Sequence, residues 1–189
     1  MNKVLLSNIE NLKIVFDLMK EDTFFLNAFN KATEAISLSL KSGGRIYFAG
    51  NGGSAADSQH IAAEFISRLS NDRAPLCAEA LTTDTSVLTA IGNDYGFEYV
   101  YSRQLEAKLR VGDIFIGITT SGNSKNILNA FKACNRIQVS SILITGNMGG
   151  VAKFLADYAM IVPSARTQTI QEAHILIGHS LCEAVENLT

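Results

Sequence analysis

Apolar residues in the first part of the chain recur every three or four positions, which is the period of an amphipathic helix. The polar pair Asp22-Thr23 separates two such series, and Gly43-Gly44 ends the second. The first series is Ile9, Leu12, Val15, Phe16 and Met19, and the second is Phe25, Ala28, Phe29, Ala32, Ile36 and Leu40. Glycine is common just after a helix ends, so the pattern predicts an N-terminal arm of two helices over residues 1–42.

Beyond the arm, short apolar runs without polar alternation are separated by helical segments. The runs are 45–49, 113–119, 139–145 and 159–162, with a weaker one at 75–80. The helices between and after them are expected at 54–69, from 124 to about 134, and at 169–187. Such strands are typical of a parallel sheet covered on both faces. The chain is therefore expected to be an α/β protein with a doubly wound parallel sheet flanked by helices, forming one domain over 1–189.

Composition and charge exclude several classes of protein. With 47% hydrophobic residues, 18% charged residues and two prolines, the chain does not resemble a disordered one. A net charge of −2 gives no reason to expect nucleic acid as a partner. No apolar stretch reaches the roughly 20 residues that span a bilayer, and no signal peptide is visible. The three cysteines form no CxxC pair and are expected to be buried thiols, so we predict a cytoplasmic protein without a membrane partner.

Two loops that follow predicted strands have the composition of phosphate-binding loops. Gly50–Ser54 leads into a helix, whose N-terminal N–H groups can bind an anion. Residues 119–124, with the sequence TTSGNS, place four hydroxyl groups in one turn. In a doubly wound sheet these loops, with a third at 145–150, should converge at the carboxyl ends of the strands. A tight turn without ligand remains open for the first loop, and ordinary helix capping remains open for the second.

Other nucleotide-binding patterns fit less well. Gly50, Gly52 and Ala55 satisfy the GxGxx[GA] dinucleotide pattern, which favours a nicotinamide-dependent oxidoreductase as a third hypothesis. That pattern requires an acidic residue about 20 positions later, and Asp72 and Glu79 match it only roughly. Neither loop contains lysine and no GxxxxGK[ST] occurs, so a P-loop is not expected.

Candidate acid–base or metal-binding groups lie on two predicted helices. His60 and Glu64 are four residues apart and share a helix face, where they could bind a metal, transfer protons or only stabilise the helix. On the last helix, His174 and His179 point about 140° apart, so one of them is expected to be structural. Gln171 and His179 are separated by about 12 Å of helix rise. A shared ion would then require an irregular helix or a site completed between subunits.

Taken in order, these motifs resemble the phosphoheptose isomerase family of the SIS fold, which is flavodoxin-like. The resemblance covers essentially the whole chain and rests on five segments: GNGGSAADSQHIAAE (50–64), AIGND (90–94), TTSGNS (119–124), ITG (144–146) and PSARTQTIQEAHILIGHSLCE (163–183). It implies conversion of sedoheptulose 7-phosphate into D-glycero-D-manno-heptose 7-phosphate, the first step of bacterial heptose biosynthesis. It also implies a homotetramer with active sites at subunit interfaces.

The resemblance further assigns roles to residues of this chain. Glu64 and His179 match the acid/base pair, with Glu64 as the base that moves a proton between C1 and C2 through an enediol. One zinc ion per subunit would be bound by His60, Glu64, Gln171 and His179. Substrate-binding positions would be Asn51, Gly52, Gly53, Ser54, Glu64, Asn93, Asp94, Thr119, Thr120, Ser121, Ser124 and Gln171. Whether Glu64 acts mainly as base or as metal ligand stays open, because a carboxylate bound to zinc is a poorer base.

The main alternative is a non-catalytic SIS protein that binds a sugar phosphate or a replication initiator. A relative of that kind lacks the equivalents of Glu64 and His179. Both residues are present here, and this favours the enzyme.

Overall fold

The structure is a computed structural model that describes residues 2–188. Met1 and Thr189, the ends of the predicted domain, lie outside the described range. The helices are α1 Asn2–Glu21, α2 Thr23–Lys41, α3 Gly53–Ile66, α4 Thr85–Asp94, α5 Ser102–Lys108, α6 Lys125–Ile137 and α7 Thr167–Glu186. The strands are β1 Ile46–Gly50, β2 Ala78–Ala80, β3 Ile114–Thr119, β4 Ser140–Thr145 and β5 Tyr158–Ile161. Short 3₁₀ turns occupy 97–99, 147–149 and 152–154.

The five strands form one parallel sheet in the order β2-β1-β3-β4-β5. This is the doubly wound, flavodoxin-like order, in which the winding direction reverses between β1 and β3. The predicted α/β fold is therefore confirmed, including the weak strand at 75–80, which is shortened to β2. Every residue of β1 and β3 is buried, because helices cover both faces of the sheet.

Two apolar cores lie on opposite faces of the sheet. One core joins α1, α2, α3 and α7 to the sheet, and its side chains include Ile36, Phe48, Phe65, Ile116 and Leu181. The other is built by α5 and α6, and it includes Leu105, Phe115, Phe131, Cys134 and Leu143. The helices that carry the predicted site, α3 and α7, pack side by side on the first face.

The two-helix arm forms as predicted. The Asp22 carboxylate caps the N-terminus of α2 by accepting hydrogen bonds from the N–H groups of its first residues. The burial of the arm is less complete than the apolar pattern suggests. Val15 and Met19 are buried, but Ile9 is 45% exposed and Leu5 is 61% exposed. The first half of α1 therefore presents an apolar surface to solvent in the single chain.

Among the cysteines, Cys134 and Cys182 are buried as expected, but Cys77 is exposed. It precedes β2, which lies at the edge of the sheet and is covered less completely. The expectation of three buried thiols is thus wrong at this position. Among the described residues, no helix is long and apolar enough to cross a membrane.

Candidate active site

A cavity of about 280 Å³ opens at the carboxyl ends of β1 and β3, where the winding of the sheet reverses. This is the place where doubly wound sheets bind their ligands. Its lining combines the two predicted loops with the start of α7. The lining residues are Asn51, Gly52, Gly53, Ser54, Ile118, Thr119, Thr120, Ser124, Thr167 and Gln171.

The first loop is held in shape by polar contacts on both sides. Gly52 precedes α3 with φ of +56°, a left-handed conformation that glycine adopts without strain. The side-chain amides of Asn51 and Asn126 exchange two hydrogen bonds of 2.9 and 2.8 Å. The buried Tyr101 hydroxyl donates to the Gly50 carbonyl, and burial raises the pKa of Tyr101 to about 12, so it remains a donor. The loop is therefore fixed before any ligand arrives.

The second loop presents its hydroxyl groups through local bonds. The hydroxyls of Thr119 and Ser124 lie 3.2 Å apart, and both side chains line the cavity. The Ser121 hydroxyl instead accepts a bond from the Asn123 backbone N–H and lies outside the lining. Among residues 2–188, no lysine or arginine lines the cavity. An anion there would therefore be bound by hydroxyls, backbone N–H groups and the N-terminus of α3.

The third loop that we expected at the site, 145–150, lies behind the second loop. A Cβ atom on Gly122 would lie 2.1 Å from the Gly149 carbonyl oxygen, so the two loops touch through their backbones. The Asn123 side chain accepts a hydrogen bond from the Val151 N–H at 3.0 Å. This loop supports the hydroxyl loop but does not line the cavity.

Gln171 enters the cavity from the first turns of α7. A Cβ atom on Gly53 would lie 2.2 Å from the Nε2 atom of Gln171, so glycine at position 53 leaves the space that the Gln171 amide occupies. The structure thus places Gln171 beside the first loop. The group of His60, Glu64 and His179 lies farther along both helices, since about 12 Å of helix rise separates Gln171 from His179.

That second group joins α3 to α7. The Nε2 atoms of His60 and His179 are 2.9 Å apart, and His60 Nε2 is 3.4 Å from a Glu64 carboxylate oxygen. One ligand atom from each residue lies within 4.8 Å of the others. The Glu64 side chain is 24% exposed and that of His60 is 50% exposed, so the group is accessible from solvent. The Cα–Cβ bonds of a helix tilt toward its N-terminus, and the cavity lies at the N-terminal ends of both α3 and α7.

His174 is the structural histidine that the helix geometry required. It is completely buried, and neither ring nitrogen has a hydrogen-bond partner of normal geometry. Burial lowers the pKa of His174 to about 4, and a contact with the Thr145 backbone offsets only part of this. The ring is therefore neutral at physiological pH and belongs to the core.

Within one chain, four predicted substrate-binding residues stand apart from the cavity lining: Glu64, Asn93, Asp94 and Ser121. Asn93 and Asp94 are exposed at the end of α4, where the Asn93 amide donates to the Asp94 carboxylate at 2.8 Å. The roles assigned to these residues stay predictions.

Sequence reasoning missed Asn126, which holds Asn51 in place and whose side-chain oxygen also accepts a bond from the Ile127 N–H. Its position at the start of the helix after a hydroxyl-rich loop was the available signal. Thr167, at the first position of α7, was also missed.

The geometry allows two kinds of chemistry within one surface. The cavity can bind a phosphate, and the carboxylate with two imidazoles can transfer protons or bind a metal. Two nitrogens and one oxygen form a donor set that zinc accepts, and three protein ligands leave one position open, as in catalytic zinc sites. The residues present therefore fit the zinc ion that the family resemblance implies.

Comparison with known proteins identifies the same group of enzymes. The SIS domain model matches residues 18–146. The chain is 49% identical to phosphoheptose isomerase 2 of Campylobacter jejuni over 177 residues, covering 94% of this chain and 88% of that protein. It is also 49% identical to the phosphoheptose isomerase of Aneurinibacillus thermoaerophilus, covering 98% and 94% of the two chains.

Solved structures give the same result. The phosphoheptose isomerase of Neisseria gonorrhoeae superposes with a TM-score of 0.91 at 38% identity, covering 98% of both chains. That of Francisella tularensis has a TM-score of 0.92 at 33% identity and covers 97% of this chain and 96% of that one. These names favour an isomerase over a non-catalytic binding protein. With its sheet order, cavity and His–Glu–His group, the chain belongs to the SIS domain family and, within it, to the phosphoheptose isomerases.

Proposed function

We propose that the protein is an aldose–ketose isomerase that converts sedoheptulose 7-phosphate into D-glycero-D-manno-heptose 7-phosphate, the first step of bacterial heptose biosynthesis. The observation that carries the proposal is the arrangement of α3 and α7. The same two helices present a hydroxyl-lined anion cavity at one end and a carboxylate with two imidazoles farther along. A phosphosugar that reacts at the carbons farthest from its phosphate requires this separation.

The cavity would bind the phosphate of the substrate. Hydroxyl groups of Thr119, Thr120 and Ser124 line it together with the first turn of α3. The dipole of α3 and its free N–H groups stabilise a phosphate without a lysine. Gln171 would contact the sugar hydroxyls next to the phosphate, since its amide reaches the phosphate loop.

Glu64 and His179 would perform the proton transfers on the open-chain sugar. The Glu64 carboxylate removes the C1 proton while the C2 carbonyl oxygen gains a proton from His179, and this forms an enediol. His179 then takes the proton from the C1 hydroxyl as Glu64 returns its proton to C2, so an aldehyde forms at C1 and both groups regain their starting states. General acid–base catalysis of this kind contributes about 10²–10⁴-fold to the rate.

A bound zinc ion fits His60, Glu64 and His179 and would supply a Lewis acid that polarises the sugar carbonyl. The role of Gln171 as a fourth ligand stays a prediction, since this residue lies beside Gly53 in the single chain. Zn²⁺ titration of the purified protein by calorimetry tests the site directly. His60→Ala should weaken Zn²⁺ binding at least about tenfold, whereas retained affinity would exclude this site.

A homotetramer with active sites between subunits also belongs to the proposal. The arm exposes large apolar side chains, and such patches are typical of protein interfaces. The exposed residues of the arm include Val4, Leu5, Leu6, Ile9, Ile14, Leu18 and Phe24. A neighbouring chain would also bring further residues to the cavity, whose lining within one chain does not include Glu64, Asn93 and Asp94. The cytoplasmic location stays a prediction.

The direct test is incubation of the purified protein with sedoheptulose 7-phosphate while the aldose is measured. Wild-type protein should form the aldose, and sedoheptulose without phosphate should be a much poorer substrate because the cavity then has no anion. Absence of aldose formation under conditions in which a known phosphoheptose isomerase is active would refute the proposal.

A further inference from the structure

Arg73, in the segment between α3 and β2, binds the last turn of α3. Its Nη2 atom donates to the Glu64 backbone carbonyl at 2.9 Å, and its Nη1 atom donates to the Phe65 carbonyl at 2.8 Å. The last four carbonyls of a helix have no partner within the helix. One guanidinium satisfies two of them here, and one of these belongs to the proposed base itself.

Arg73 is in turn held by Glu186, whose side chain on the last turn of α7 is completely buried. The Glu186 carboxylate accepts a bond from Arg73 Nε at 2.9 Å and from the backbone N–H groups of Leu69, Ser70 and Asn71 at 2.9, 3.0 and 3.2 Å. Burial alone would raise the pKa of Glu186, but these N–H groups and Arg73 outweigh burial and hold it below its ordinary value. The carboxylate is therefore charged at neutral pH.

The two residues connect the helices that carry the proposed acid and base. Glu186 lies seven residues after His179, which is about two turns along nearly the same face of α7. Arg73 reaches from Glu186 to the backbone of Glu64 and also lies 3.9 Å from the Cys182 sulfur. Arg73 and Glu186 thus join the end of α3 that follows Glu64 to the end of α7 that follows His179.

We propose that Arg73 and Glu186 are positioning residues that hold Glu64 at its working distance from His179. The proposal rests on the proposed isomerase function. It differs from a purely structural ion pair in one respect: loosening the contact lowers the rate of proton transfer in protein that is still fully folded.

Two conservative substitutions test this. Arg73→Lys keeps a positive charge beside Glu186, but an ammonium group lacks the planar fork that reaches two carbonyls and a carboxylate together. Glu186→Gln keeps the side-chain shape and removes the charge. A displacement of about 1 Å at a catalytic group can cost about 100-fold in rate. Each variant should therefore lose at least about tenfold in kcat.

Substrate affinity should respond much less than turnover. The phosphate cavity is at the opposite end of α3, so KM and the calorimetric affinity for inorganic phosphate should stay within about threefold of wild type. Asp113→Asn is the matched control. Asp113 is also a buried carboxylate, and it accepts bonds from the backbone N–H groups of Arg45 and Arg110 at the far end of the sheet. This control should lose stability without losing kcat.

All variants are compared at a temperature at which their unfolding curves show fully folded protein. A kcat within about twofold of wild type in either Arg73→Lys or Glu186→Gln would overturn the proposal, as would an equal loss of kcat in Asp113→Asn. If one of the two variants does not fold, the other decides.

Hydrogen exchange gives a readout independent of activity. Peptides over 63–76 should lose protection in the two variants, while the start of α3 keeps it. If wild-type protein shows no isomerase activity, the proposed function fails. Unchanged hydrogen exchange in both variants would separately refute the positioning role of the contact between Arg73 and Glu186.

Discussion

His174 gives a prediction that can be worked out quantitatively. Its ring is completely buried, its nitrogens have no normal hydrogen-bond partner, and burial lowers its pKa to about 4. In the unfolded chain a histidine has a pKa of about 6.5. Between these values the unfolded state binds a proton that the folded state does not, so stability must fall as the pH falls from about 6.5 to 4.

The size of this loss follows from the two pKa values. Linkage gives almost no loss at pH 7.5, about 2 kcal/mol at pH 5 and about 3 kcal/mol at pH 4. His174→Leu removes the titrating group while it keeps an apolar side chain in the core. Between pH 7.5 and pH 5, the free energy of unfolding should therefore fall by about 2 kcal/mol less in the variant than in wild type. Other titrating groups contribute equally to both proteins and cancel in the difference.

Urea unfolding at fixed protein concentration, repeated across this pH range, measures the difference. Cys182→Ala is the control, because Cys182 is buried on the same helix and burial raises its pKa to about 11, outside the range tested. It should lower stability equally at every pH. If wild type and His174→Leu lost stability in parallel as the pH fell, His174 would not be buried and neutral in the folded protein.

Three further predictions concern the cavity and the arm. Asn126→Ala removes both hydrogen bonds to Asn51, and each bond contributes about 1 kcal/mol. The affinity for inorganic phosphate, measured by calorimetry, should therefore fall by up to about 30-fold, and unchanged affinity would exclude the role of Asn126 in shaping the loop. Gly53→Ala places a methyl group against the Gln171 amide, so kcat/KM should fall at least about tenfold. The Tm should change little, because only the end of a flexible side chain must move, and a kcat/KM equal to that of wild type would contradict the contact between Gln171 and the substrate. Leu5→Glu with Ile9→Glu adds charge to the exposed face of α1 and should shift the assembly to smaller species in sedimentation; a monomeric wild type would refute the tetramer.

The sequence predicted the parts of the fold that depend on local apolar patterns. Buried strands such as β3 show as continuous apolar runs, and the rule for doubly wound sheets correctly located the cavity after β1 and β3. The amphipathic α4 and the short α5 were not predicted. The apolar side chains of α4 are only partly buried beside the second core, so their pattern is weak.

Features that depend on distant contacts were beyond the sequence. Arg73 and Glu186 are 113 positions apart, and nothing in either local pattern indicates that they meet. Similarly, the helix period could not show that Gln171 reaches Gly53, because this depends on how α3 packs against α7. The separation of His174 from His179 was predictable because it depends only on the geometry of one helix.

In the proposed mechanism, the Glu64 carboxylate removes a proton from C1 of a sugar whose phosphate is bound in the cavity. Exchange of the C1 hydrogen of sedoheptulose 7-phosphate with deuterium oxide, followed by NMR, reports this step without the later ones. Wild-type protein should catalyse the exchange, and Glu64→Gln should slow it by about 10²–10⁴-fold while substrate binding is retained. Exchange at the wild-type rate in Glu64→Gln would show that Glu64 is not the base.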